Sequence, residues 1–181
     1  MSLGPRNGTV VEFPGDGATL RGYLLEHPGA ARPAVVMAHG LSATATGKVA
    51  DRYAEVIHAA GLNVLLYDHP GFGLSGGEPR QAIGRWIQLR GYRDAIDFVE
   101  RLPSVVHDRI AVWGDSYSAA VALGVAAYDE RVAAVVVQVP ACGSALPADD
   151  LDDSAFALHR RTYLEGPAPG TEITTSPRMP V

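Results

Sequence analysis

Four short stretches of this chain are almost continuously apolar and rich in β-branched residues: 34–40 (AVVMAHG), 63–69 (NVLLYDH), 109–114 (RIAVWG) and 132–140 (VAAVVVQVP). Such runs suit strands covered on both faces of a parallel sheet, where neither face returns to water. Ahead of them, 9–14 (TVVEFP) and 18–27 (ATLRGYLLEH) flank Gly15, Asp16 and Gly17, which supply positive-φ turn chemistry and predict a β-hairpin. Between the runs the period changes to that of a helix. Val49, Tyr53, Val56, Ile57 and Ala60 share a predicted buried face, and Gly61 follows as a stop. Trp86, Leu89, Ile96, Val99 and Leu102 form a second stripe, ended by Pro103, and Tyr117, Ala120, Val121, Gly124, Val125 and Tyr128 a third.

A hairpin followed by strand–helix alternation predicts an α/β fold, a mostly parallel, doubly wound sheet with helices on both faces. No internal repeat is present. The pattern divides the chain into a core of six strands over residues 1–140 and an irregular segment over 141–181. That second segment carries prolines 147, 167, 169, 177 and 180, and the acidic cluster Asp149, Asp150, Asp152 and Asp153. Within it only 154–164 (SAFALHRRTYL) reads as helix, and no further strand candidate follows.

Composition narrows the function classes. With 181 residues, 47% of them hydrophobic, the chain is long enough for one domain with a substantial core. A net charge of −5 with scattered basic residues gives no reason to expect nucleic acid or an anionic membrane as partner. No apolar stretch reaches the roughly 20 residues needed to span a bilayer. The N-terminal MSLGPRNGTVVEF lacks the charged and apolar regions of a signal peptide. The single cysteine, Cys142, rules out an intrachain disulfide and fits a reducing, cytoplasmic location.

The chemistry concentrates at 109–127 (RIAVWGDSYSAAVALGVAA), where an apolar run stops at Gly114 and a helical pattern begins. A strand that turns directly into a helix leaves one residue at the apex, with unpaired helix N–H groups beside it. Ser116 at that apex is a candidate nucleophile, and the N–H of Tyr117 is placed to help hold a developing oxyanion. The turn needs small residues two before and two after the apex, and Gly114 and Ser118 meet that need.

Here the sequence resembles the α/β-hydrolase family, whose nucleophile elbow is usually Gly-x-Ser-x-Gly. GDSYS (114–118) departs from it at Ser118, which stands in place of glycine. Two further stretches carry the resemblance. AHG (38–40) ends a predicted strand where an His-Gly pair opens the family's oxyanion loop, which implies the Leu41 backbone N–H as second donor. YDHPGFGLSGG (67–77) resembles the family's Asp-x-x-Gly-x-Gly-x-Ser segment. The resemblance covers residues 9 to about 140. Residues 21–40 and the 86–97 helix resemble its esterase, dienelactone-hydrolase-like and acyltransferase branch. It implies a serine hydrolase acting on a small-molecule ester, thioester, lactone or amide through an acyl-enzyme on Ser116, with no cofactor and no metal.

Other polar residues have plainer expected roles. Ser116 itself has an alternative as an ordinary helix N-cap. His39 is expected to position backbone, and Asp68 to brace its loop. Asp115 diverges from its neighbour at a tight elbow, and Cys142 fills a strand end. His27, His58 and His107 have no metal-ligand spacing. What is missing is the base. A serine hydroxyl needs a histidine to take its proton and a carboxylate to orient that histidine. By resemblance both follow later strands, in the order Ser, Asp or Glu, His.

After Ser116 the sequence offers one strand and one histidine, His159, in a predicted helix. The expectation is therefore a fragment truncated after strand six, with 141–181 the start of a cap or lid. The competing reading is a small complete hydrolase that pairs His159 with Asp149, Asp150, Asp152 or Asp153. Two further alternatives stay open: an acyltransferase on the same scaffold, and a non-catalytic α/β-hydrolase-like binding protein. Against a nucleotide-binding module, neither Gly-x-Gly-x-x-Gly nor Gly-x-x-x-x-Gly-Lys follows a strand.

Overall fold

The computed structural model describes residues 4–47, 49–142 and 153–167. Its strands are β1 (Thr9–Gly15), β2 (Ala18–Leu25), β3 (Arg32–Ala38), β4 (Asn63–Tyr67), β5 (Val105–Asp115) and β6 (Val132–Gln138). Its helices are α1 (Ala50–Ala59), α2 (Arg85–Glu100), α3 (Ser116–Tyr128) and α4 (Asp153–Glu165). The strands form one sheet in the order β1-β2-β4-β3-β5-β6. β1 pairs antiparallel with β2, and β2 antiparallel with β4; the β4–β3, β3–β5 and β5–β6 pairs are parallel. This is the α/β-hydrolase architecture, with its hairpin first and its parallel strands after.

The apolar runs of β3, β4 and β5 are continuous because both faces are covered; β6, expected from its run to be covered likewise, is mostly exposed and packs only Val132 and Val137 against one core cluster. On β3, Ala34, Val36 and Ala38 enter one core cluster and Val35 and Met37 the other. β4 alternates likewise, with Leu65 and Tyr67 on one side and Val64 and Leu66 on the opposite side. The first cluster is closed by α2 and α3 through Leu89, Tyr92, Ile96, Val99, Val121 and Val125, and the second by α1 through Ala50 and Ala54.

Two sequence expectations shift. On α1 the predicted face is only partly turned inward: Ile57 packs against the second cluster and Tyr53 lies against Trp113, but Val49 and Val56 are 51% and 68% exposed, while Ala50 and Ala54 are buried. Small side chains let the helix lie close on β3 and β4. β5 also begins four residues earlier than its apolar run, because His107, Asp108 and Arg109 are exposed members of that strand.

α4 confirms the predicted helix and docks on α2 and α3. Tyr163 is fully buried in the first cluster, and its hydroxyl donates to Asp129 Oδ2 at 2.7 Å. Burial opposes ionisation of Asp129, but hydrogen bonds from Arg131 and Tyr163 outweigh it and hold the carboxyl below the usual carboxylate range. Arg160 reaches the Tyr128 carbonyl at 3.2 Å, and Arg93 the Leu164 carbonyl at 2.8 Å. Asp149, Asp150 and Asp152 of the acidic cluster lie outside the described residues.

Candidate functional site

β3, β4 and β5 run parallel, so their carboxyl ends meet at one edge of the sheet. β3 lies between β4 and β5, and the chain leaves it for one neighbour first and the other later. Such a switch in direction opens a crevice at the carboxyl ends of an α/β sheet. Three segments face it: the loop after β3, the loop after β4, and the β5–α3 corner.

Ser116 is the first residue of α3 and directly follows the last residue of β5. Its φ is +52°, a left-handed conformation that costs a non-glycine residue about 1–3 kcal/mol and marks functional corners. The corner is tight enough to require Gly114: a side chain there would collide with the Ser118 carbonyl and lie 2.8 Å from Ala119 N. The Ser116 carbonyl accepts the Ala141 N–H at 3.0 Å, so the chain leaving β6 returns across the corner. Among the described residues no side chain hydrogen-bonds the Ser116 hydroxyl, and no acceptor takes the Leu41 N–H. Tyr117 lies in the first turn of α3, where N–H groups have no partner within the helix.

Asp68 ties the first two loops together. Its Oδ1 accepts Ala45 N–H at 2.7 Å and its Oδ2 accepts Leu74 N–H at 2.9 Å. Its backbone carbonyl accepts the Ser75 hydroxyl at 2.6 Å. Gly73 makes this approach possible, since a Cβ there would overlap the Asp68 carboxylate. Asp68 is thus the expected loop brace.

His39 is buried and structural. Its Nδ1 donates to the Gly40 carbonyl at 2.9 Å, and its Nε2 accepts the His69 backbone N–H at 3.3 Å. Asp68 Oδ1 lies 3.7 Å from Nε2. Burial pushes the His39 pKa down, against the Gly40 carbonyl, Asp68 and Asp115, so the ring is neutral and forms no ion pair. The Asp115 carboxylate lies against Gly40, and its buried Oδ1 has no partner among the described residues.

His69 and the hydroxyl of Ser118 were not singled out as functional from sequence, where Ser118 counts only as a small residue. Both are buried, and His69 Nε2 lies 2.7 Å from Ser118 Oγ. Burial, and secondarily His39, pushes the His69 pKa well below the usual histidine range. The signal available was the departure from glycine at position 118.

A narrow crevice of about 10 Å³, the space of about one water, touches both Leu41 and Tyr117 and is walled by Phe72 and Ile83. A larger crevice of about 190 Å³, open to solvent, is lined by Asp16, Pro79, Arg90 and Asp94 and not by Ser116; Arg90 is already paired with Asp16 at 2.8 Å.

The remaining candidates lie elsewhere. His159 packs on Trp86 and Tyr128, with ring centroids 5.5 and 6.4 Å apart, and makes no bond to Ser116 among the described residues. His27 stacks on His58 at 4.0 Å, and Cys142 is exposed. Among the described residues no group of three or more His, Cys, Asp or Glu could hold a metal ion, and no helix is long and apolar enough to cross a membrane.

Comparison with known proteins bears on the family and the fold. The profile of the family described as serine aminopeptidase, S33, matches residues 29–168. A thiohydrolase of Aspergillus aculeatus, aneE, is 40% identical over 127 residues, covering 69% of this chain and 39% of the relative. The polyketide transferase ATR5 of Stachybotrys chlorohalonatus is 41% identical over 126 residues, covering 69% of this chain and 41% of the relative. The crystal structure of the α/β hydrolase GrgF from Penicillium sp. superposes with a TM-score of 0.70 at 35% identity, over 74% of this chain and 46% of that one. The chain therefore spans about two fifths of the length of these curated relatives.

Proposed function

This chain belongs to the serine aminopeptidase S33 family of α/β hydrolases, and on that premise we propose that Ser116 is the nucleophile of an acyl-transfer enzyme. The observation that carries the proposal is the β5–α3 corner: a serine at positive φ at the head of α3, next to Tyr117, with Leu41 and Tyr117 lining one crevice. Ser116 Oγ attacks the carbonyl carbon of a small-molecule substrate. The carbonyl oxygen becomes an oxyanion held by those two N–H groups, and the leaving group departs as the acyl-enzyme forms. Water then releases the acid. All six histidines of the chain lie among the described residues, and none is bonded to Ser116. In the proposed mechanism a histidine takes the Ser116 proton and a carboxylate orients that histidine; the chain spans about two fifths of the length of the curated relatives it matches.

Thioesters and activated esters are the favoured substrates, because relatives at about 40% identity carry the names thiohydrolase and polyketide transferase. The second name supports an acyltransferase reading, in which an alcohol or amine replaces water against the same acyl-enzyme.

The test is steady-state turnover of short acyl thioesters and esters by the longest open reading frame containing these 181 residues. Ser116→Ala lowers kcat by roughly three orders of magnitude or more. Unchanged turnover in a purified, folded Ser116→Ala protein sinks the assignment. The 181 residues alone give no rapid burst; a burst that His159→Ala abolishes would place the base on α4 instead.

A further inference from the structure

Ser118 stands where the elbow motif usually has glycine, and its hydroxyl is used. The side chain is fully buried, and Oγ donates to the His39 carbonyl. A hydroxyl has one proton and a carbonyl can only accept, so the 2.7 Å contact with His69 Nε2 must be a bond donated by the histidine. His69 therefore carries its proton on Nε2. Its bare Nδ1 faces the buried Tyr67 hydroxyl at 3.4 Å. His39 holds the opposite tautomer, with its proton on Nδ1 toward Gly40 and its Nε2 taking the His69 backbone N–H.

The result is a closed ring of three bonds. Ser118 donates to the His39 carbonyl, the His69 backbone donates to the His39 ring, and the His69 ring donates back to Ser118. It joins the first turn of α3, the end of the β3 strand and the loop after β4. Leu41 is two residues beyond the carbonyl that Ser118 holds.

The geometry points to Ser118 as a positioning residue: its hydroxyl, held by His69, fixes the His39–Leu41 backbone against the Ser116 corner and so sets where the Leu41 N–H lies relative to the Tyr117 N–H. This rests on the reading of Leu41 and Tyr117 as oxyanion donors. With glycine at 118 the His39 carbonyl and the His69 Nε2–H would each lose a partner in a buried place, and packing alone would hold the loop.

The ring is tested on the protein of the longest open reading frame containing these residues, by two-bond nitrogen–proton NMR of its imidazoles, assigned with single histidine substitutions. At pH 7, His69 is neutral with its proton on Nε2, and His39 is neutral with its proton on Nδ1. A charged His69, or a proton on its Nδ1, overturns the ring. Ser118→Ala and Ser118→Gly both shift the Leu41 amide resonance and the His69 ring nitrogens, while amides of α1 stay in place. His69→Gln, which keeps a donor toward Ser118, leaves the Leu41 amide close to its original position, and His69→Leu does not. A Leu41 amide unmoved by loss of the Ser118 hydroxyl contradicts the positioning role. In the longest open reading frame Ser118→Ala lowers kcat roughly ten- to a hundredfold with KM unchanged, as expected when a transition-state donor is displaced. A raised KM with kcat intact overturns it. The NMR results do not depend on Ser116 being a nucleophile, so failure of that assignment and failure of the ring are read separately.

Discussion

β5 and β6 are neighbouring parallel strands whose apolar stretches, 110–113 and 132–137, are alike, yet those stretches lie in different surroundings. From Ile110 to Gly114 every residue of β5 but Ala111 is buried, with β3 and β6 beside it. On β6 only Val132 and Val137 pack against the core, toward α3, while Val135 and Val136 are 37% and 53% exposed. The apolar residues of the two stretches are alike; their coverage is not. The candidate site follows the coverage. At the covered end, Asp68, His39, His69 and Ser118 are buried with their polar groups bonded to one another or to backbone. At the β6 side the apolar residues face outward in an uncharged run, the character of an edge that pairs with other chains.

The contrast can be broken most severely at Gly114. Gly114→Val forces a branched side chain into the backbone of α3, which cannot move cheaply, and costs about 3 kcal/mol or more in chemical denaturation. A loss below about 1 kcal/mol would mean that the corner is loose. Next in size is Asp68→Ala. It strands the Ala45 and Leu74 amides and costs about 2–3 kcal/mol. Asp68→Asn, which retains one acceptor oxygen, costs less; equal losses for the two would remove the brace from the account.

A pH titration sharpens the difference further. Burial lowers the pKa of both His39 and His69 in the folded state. Below about pH 6.5 the unfolded chain takes up protons that the folded chain refuses, so stability is full above that pH and falls as the solution is acidified. The slope reaches about 1.4 kcal/mol per pH unit for each histidine. His69→Gln makes it shallower, as read from urea midpoints between pH 7 and 5; an unaltered slope would show that His69 is not held neutral by burial. The smallest effect belongs to β6. Val136→Lys changes stability by no more than about 0.5 kcal/mol, as at other exposed sites, and reduces self-association of the 181-residue chain in sedimentation. A large loss of stability there would show that β6 is covered after all.

Much of this was legible in the chain itself. The four apolar runs became β3 to β6, and both core clusters draw on β3, β4 and β5, while β6 reaches only the first through Val132 and Val137. The corner was readable because a strand, two small residues and a helix leave only Ser116 at the apex. The inner side of α1 was misread in part because burial there follows the fit of Ala50 and Ala54 against the sheet, which a count of large apolar residues cannot see. The Ser118–His69 bond was invisible for another reason. It joins residues 49 positions apart through side chains that meet only once β3, β4 and β5 are aligned. A serine where glycine is usual was its only trace.

The most direct measurement is the location of a covalent adduct. The longest open reading frame containing these residues is treated with a fluorophosphonate, and separately quenched during turnover of an acyl thioester, and its peptides are weighed by mass spectrometry. The account predicts one phosphonyl or acyl group on the peptide containing Ser116, and none after Ser116→Ala. An adduct on another residue, or turnover that continues with Ser116 unmodified, would contradict it.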